Sequence, residues 1–74
     1  MVFTSCTWKV TILADGFNYR NVPVYEGVNA AGSFKKNDVI VLNGYGTEED
    51  GTVWGRFVHS EDNETYYLII ESSK

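Results

Sequence analysis

One cysteine, one histidine, one proline and one methionine in 74 residues close off several common routes to stability and chemistry. Cys6 has no second cysteine to pair with, so packing rather than an internal disulfide must hold the fold. A structural zinc site takes about four ligands, which Cys6 and His59 alone cannot supply. The same two residues are the whole stock for a cysteine nucleophile with a histidine base. Cys6 near one end reads more simply as a minor core residue, and His59 at a strand end as a surface residue. No catalytic residue, metal or cofactor is assigned.

Positive charge is also scarce. Six Lys and Arg stand against ten Asp and Glu, for a formal net charge of -4. Nucleic-acid binding draws much of its affinity from clustered Lys and Arg, and here only Lys35 and Lys36 are adjacent, as in a solvated turn. Neither nucleic acid nor an anionic membrane surface is an expected partner. No stretch approaches about 18 apolar residues, and no basic segment leads into an apolar one. A soluble chain without an export signal is the expectation.

What the chain does have is apolar and aromatic mass. Hydrophobic residues make up 43% and aromatics 15%, far from the composition of a disordered segment. A chain this short buries only about 60% of its unfolded surface, so one dense domain spanning residues 1–74 is expected.

Periodicity makes that domain all-β. Residues 1–7 are weakly patterned and fit a frayed end, a linker remnant or a first edge strand. From Trp8 the alternation is clear, with Trp8, Val10 and Ile12 on one side and Lys9 and Thr11 on the other. Asp15-Gly16 is a strong turn pair. Residues 17–27 read as a long irregular loop, because Pro23 lacks an amide hydrogen and biases Val22 away from the helical region. Phe34 ends a short strand, and Lys36-Asn37-Asp38 reverses the chain. Val39-Ile40-Val41-Leu42 is too short for a helix and rich in β-branched residues, which predicts the most buried strand. Of two hairpin signals, Asp50-Gly51 is favoured as a tip over Asn43-Gly44, which becomes a bulge or bend. Residues 52–59 and 65–70 supply the last strands. Five to six short antiparallel strands with frequent turn signals predict a small sandwich or barrel.

Three blocks within this pattern carry a family resemblance. Ala14-Asp15-Gly16-Phe17-Asn18-Tyr19-Arg20 followed by Val22-Pro23 resembles the Ala-x-x-Leu-Asn-Val-Arg-x-Gly-Pro opening of bacterial SH3 domains. Gly32-Ser33-Phe34-Lys35-Lys36-Asn37-Asp38-Val39-Ile40-Val41-Leu42 resembles their Gly-x-Leu-Lys-Lys-Gly-Asp-x-Val-x-Val segment, and Trp54-Gly55-Arg56-Phe57-Val58 the Trp-x-Lys-Val strand after it. The chain departs from the pattern at Val22, at Asn37 and at the closing Gly-Trp-Val, where it has Tyr66-Tyr67-Leu68. The resemblance implies a small SH3-like barrel that binds the cell wall of Gram-positive bacteria. Such modules tether an amidase or peptidase to peptidoglycan in phage endolysins and bacterial autolysins. The C-terminal modules of endolysins from phages of hosts such as enterococci are the most similar in size. That origin implies synthesis in the host cytoplasm, release at lysis and action at the wall. It also raises two further partners, a full-length endolysin and other copies of the chain, if Met1 is an internal start.

The aromatic set is the source of candidate contacts. Tyr and Trp join an apolar face to a hydrogen-bonding tip, which suits sugar rings and peptide backbone. Tyr25, Tyr45, Trp54 and Tyr66 are the leading candidates, with Tyr19 as a core alternative. Arg20 reads as a brace for loop carbonyls or as a partner for a carboxylate. Glu48, Glu49, Asp50, Glu61, Asp62 and Glu64 fall in two expected turns and read as solvated, without the spacing of a calcium loop. An intracellular SH3-like module gripping a peptide on an aromatic groove is the alternative from another class, favoured by the acidic residues beside Trp54.

Overall fold

Turn chemistry places the chain reversals. At Glu48–Thr52 the amide of Gly51 donates to the Glu48 carbonyl at 3.0 Å, and the Asp50 carboxylate accepts from the Thr52 amide at 2.9 Å. Gly51 sits at φ 94°, a conformation that side chains with a Cβ rarely adopt, so Asp50-Gly51 is the hairpin tip as expected. Asn37 adopts φ 76° in the turn before Val39, the left-handed geometry Asn tolerates best among non-glycine residues. That turn is clamped three ways. The Asp38 carboxylate accepts from the Lys35 amide at 2.8 Å, the Asp15 carboxylate from the Lys36 amide at 2.9 Å, and the Asn37 amide donates to the Ile12 carbonyl at 2.8 Å. The first two of the blocks singled out in the sequence are thereby tied to each other.

A computed structural model describes residues 1–72. It contains six strands: β1 (Thr4–Thr11), β2 (Phe17–Tyr19), β3 (Gly32–Phe34), β4 (Val39–Thr47), β5 (Val53–Val58) and β6 (Thr65–Glu71). They form a four-stranded antiparallel sheet in the order β1-β4-β5-β6 and a two-stranded antiparallel sheet of β2 and β3. The all-β class is as expected; a closed barrel is not what forms. β2 and β3 are three residues each, and the loop between them joins the large sheet through one bridge, where Arg20 and Tyr67 exchange backbone hydrogen bonds at 2.8 and 2.7 Å.

Residues 1–7 resolve into an edge strand that starts at Thr4, with an extra residue inserted between Ser5 and Trp8 opposite β4. β4 pairs with β1 along most of its length but with β5 only from Gly44 onward, so Asn43-Gly44 is where the strand changes neighbours. The expectation for Val39–Leu42 is corrected. Val39 and Val41 are half exposed, Ile40 is partly buried, and only Leu42 is fully enclosed. The run is β-branched because it is a strand, yet its outer face meets water. β5 is the most buried strand, with Trp54, Gly55 and Phe57 all enclosed.

The core joins Ile12, Phe34, Leu42, Phe57 and Leu68, with Cys6, Val10, Phe17, Tyr19, Ile40 and Tyr66 packed against it. Trp54 is buried outside this cluster. Directly paired residues in an antiparallel ladder share a face, so Trp54 lies between Gly46 and Ile69, and Arg56 between Gly44 and Tyr67. The N-terminal residues cover this second face. The Phe3 ring lies 5.3 Å from Tyr67 and under the Arg56 guanidinium, while a Cβ added to Gly46 would come within 3.0 Å of Met1 and the Val2 carbonyl.

Neighbours on β4 therefore separate core from surface. Leu42→Ala is expected to cost about 2–5 kcal/mol, whereas Val41→Ala stays within about 1 kcal/mol, both read from urea unfolding midpoints. Equal losses would contradict the facing assigned to β4.

Candidate functional site

The β2–β3 loop and the β4–β5 turn approach each other on the side of the sheet where Trp54 and Ile69 lie. Between them runs an open groove of about 510 Å³. One bank is the loop, contributing Pro23, Val24, Tyr25 and Glu26; the other is the turn, with Glu48, Asp50 and Thr52. Ile69 and Ser72 of the last strand and its exit complete the lining.

Local sequence explains both banks. Pro23 cannot join a ladder, and the Val24 amide folds back onto the Val22 carbonyl at 2.9 Å, so the loop stands away from the sheet. Arg20 braces it from beneath. Its backbone is fixed to Tyr67, its Nε donates to the Val28 carbonyl at 3.4 Å, and its guanidinium lies 4.7 Å from the centre of the Tyr25 ring. That cation–π contact is worth about 0.5–1 kcal/mol at an exposed site. It orients Tyr25 while leaving the ring 62% exposed. On the opposite bank the Trp54 indole N–H donates to the Glu48 carboxylate, so a fully buried side chain holds a groove residue in place. Thr52, 8% exposed, and the Asp50 cap make the turn equally well defined.

The candidate aromatics divide among several places. Tyr25 and Arg20 meet at the groove. Trp54 is corrected from surface contact to support, because its exposure is 0% and its indole N–H is engaged with Glu48. Tyr45 is partly buried and stacks on Trp8, with ring centres 5.2 Å apart and planes 11° from parallel. Trp8 is 48% exposed while Val10 is partly buried and Ile12 buried, so the three residues that alternate together do not share one environment. Next to the β1 bulge, Cys6 packs against the core and the Trp8 ring lies on Tyr45.

Tyr19 and Tyr66 belong to a third group. They meet edge to face at 4.9 Å and contact Phe57 and His59, and Tyr19 also packs on Phe34. Aromatic pairs of this kind add about 0.5–1.5 kcal/mol each beyond simple burial. His59 is stacked on Phe34 and accepts from the Glu61 amide at Nδ1, 3.2 Å away. Cys6 points its thiol at the Leu42 carbonyl, 3.9 Å away. Each thus has a packing role of its own.

Electrostatics is most perturbed at this third group. The Tyr66 hydroxyl donates to the Asp62 carboxylate. That bond, helped by desolvation and the Asp62 charge, pushes the Tyr66 phenol up to about 12. The same bond and the Glu64 amide hold the Asp62 carboxyl below its ordinary value. Burial, then Glu61 and Asp62, raise the Tyr19 phenol.

Among the described residues no group of three or more His, Cys, Asp or Glu could hold a metal ion, and no helix is long and apolar enough to cross a membrane. Pro23, Val24 and Glu26 as groove walls and Trp8 as an exposed ring are not foreshadowed in the sequence, whereas Glu48 and Asp50 are the acidic residues beside Trp54 that the peptide-groove alternative invoked. The acidic run before Gly51 was the available signal for the second bank. A second, shallower groove of about 370 Å³ lies where β4 and β5 diverge, between Val39–Val41 and Val58–Ser60, with Phe34 and Phe57 in its lining. Comparison with known proteins returns no match to a family profile, a curated protein or a solved structure.

The Tyr66–Asp62 bond has a definite pH signature. With the phenol raised from 10.0 to about 12, its stabilising effect is complete below about pH 10 and is lost as pH rises through 12. With the Asp62 carboxyl lowered, the effect is present above 3.8 and is lost as pH falls through the depressed folded value. Phenolate absorbance should show Tyr66 titrating late, near 12, beside a raised Tyr19, and the Tyr66 step should return toward 10 in Asp62→Asn; an unchanged Tyr66 midpoint would rule the bond out.

Proposed function

We propose that the chain is a non-catalytic SH3-like module that binds Gram-positive cell wall and so anchors a peptidoglycan hydrolase to its substrate. The single observation that carries this reading is the exposed Tyr25 ring, braced by Arg20 at the mouth of a groove with an apolar side and a polar side. Such a groove suits an extended, mixed-polarity ligand lying across the ring. The order of the three resembling blocks supports the same assignment. In this reading the β2–β3 hairpin with its long loop, and the change of partners along β4 at Asn43-Gly44, arrange the two sheets as an open SH3-like barrel. The module acts outside the membrane at the wall after lysis, alone or assembled with a full-length endolysin and further copies of itself.

The groove is a binding device and supplies orientation rather than reaction chemistry. Tyr25 offers a flat apolar face and a hydroxyl, and Glu48 and Asp50 offer acceptors held by the Trp54 indole and the Thr52 amide. Holding acceptors before the ligand arrives lowers the ordering cost of binding.

The same geometry gives substance to the intracellular alternative, because an aromatic groove flanked by acidic residues also suits a peptide from another protein. Two assays separate the readings. A fluorescent fusion should decorate purified Gram-positive walls, and Tyr25→Ala should weaken decoration about tenfold or more while leaving the circular dichroism unchanged. Bare enterococcal, streptococcal, staphylococcal and clostridial walls, together with signal on a proline-rich peptide array, would replace the first reading with the second.

A further inference from the structure

The β5–β6 turn uses an imidazole as a hydrogen-bond acceptor. The Glu61 amide donates to His59 Nδ1 at 3.2 Å, which requires a free lone pair there and so a neutral ring with its hydrogen on Nε2. Further bonds close the same turn. The His59 amide donates to the Glu64 carbonyl and the Asn63 amide to the His59 carbonyl, each at 2.9 Å. The Glu64 amide donates to the Asp62 carboxylate at 3.0 Å, and the Tyr66 hydroxyl donates to it as well. Of these, only the Glu61 bond ends on an acceptor that a proton removes near neutral pH.

The ring itself is held from the side. It stacks on Phe34 of β3, 5.9 Å away with planes 8° apart, and meets Tyr19 of β2, Phe57 of β5 and Tyr66 of β6. The ionisable groups facing it are Tyr19 and Tyr66, Asp38 across the shallow groove, and Glu61, Asp62 and Glu64 of its own turn. Each of these is an acid, so a positive ring is attracted by them rather than repelled. The Asp62 carboxyl, lowered chiefly by the Tyr66 hydroxyl and the Glu64 amide, is lowered further by charge on His59. We infer that His59 is a proton-operated latch on the β5–β6 turn: the neutral ring holds the Glu61 amide, and the protonated ring releases it. A cation against an aromatic face is attracted to it, so the charged ring keeps its seat on Phe34 and the backbone of the turn gives way. His59 and Ser60 form part of the wall of the shallow groove beside Val39–Val41, and the same proton alters that wall. The groove at Tyr25 shares none of these lining residues, so the latch does not rest on the wall-binding reading.

With one histidine in the chain, the imidazole nitrogens are identified without ambiguity. Nitrogen-15 NMR of the full chain at about pH 8 should show hydrogen on Nε2 and none on Nδ1. As pH is lowered from about 8 to about 5.5, the Glu61 amide resonance should follow the ring titration. Its protection from hydrogen exchange, corrected for the intrinsic pH dependence, should fall about fivefold. His59→Phe keeps a flat ring against Phe34 but has no Nδ1, so its Glu61 amide should be unprotected and unmoved over the same range. Hydrogen on Nδ1 at about pH 8 would overturn the latch, an outcome read from the unaltered chain. So would a Glu61 amide that ignores the ring titration, or one that moves equally in His59→Phe.

Discussion

The central pair of strands must place large side chains on both of its faces, and it does so by setting glycine against several of them. Gly46 faces Trp54, Gly44 faces Arg56, and Gly55 faces Leu68 while Leu42 leans over it. A Cβ at Gly44 would fall 2.5 Å from the Arg56 guanidinium, and one at Gly55 would fall 2.9 Å from the Leu42 methyls. The Arg56 chain end is the tip of a flexible side chain, but Leu42 is locked in the core. Gly55 is therefore the more exacting position. A domain of this size has too little interior for one large core. Using both faces of β5, with Phe57 on one and Trp54 on the other, is how the chain encloses its aromatics.

This arrangement also connects interior and groove. Trp54 is packed as a structural residue, yet its one polar atom reaches Glu48 on the groove wall. Arg20 does the equivalent on the other bank, with a backbone stitched to β6 and a side chain under Tyr25. Both banks are loops, but each is referred to the sheet by a specific contact. Each bank of the groove is thereby anchored to the sheet without being a regular element itself.

Much of the fold was legible because turn residues and period-2 alternation are local signals. Asp50-Gly51 and Asn37 sit where their backbone preferences demand, and the β-branched run marks β4. What could not be read was which side of a strand faces inward. Val39–Leu42 looks uniformly apolar, and only the β1 partner and the divergence of β5 decide that Val39 and Val41 face out. The exposure of Trp8 and the burial of Trp54 were hidden for a similar reason. A bulge in β1 and a glycine across from β5 are properties of pairing, and no one-strand pattern contains them. The groove was only half visible. Tyr25 stood out as an aromatic in a loop, whereas Glu48 and Asp50 gain meaning only when the turn is brought opposite Pro23.

The inserted residue in β1 has a consequence for the molecule in a crowded solution. β1 closes one side of the four-stranded sheet, and an open strand edge is a template on which another chain can add. The offset between Ser5 and Trp8 breaks the regular spacing of that edge, and Lys9 places a charge immediately after it. A second molecule seeking to extend the sheet meets a kinked and charged border. The domain can thus keep a half-exposed tryptophan on its surface without offering a straight strand for aggregation.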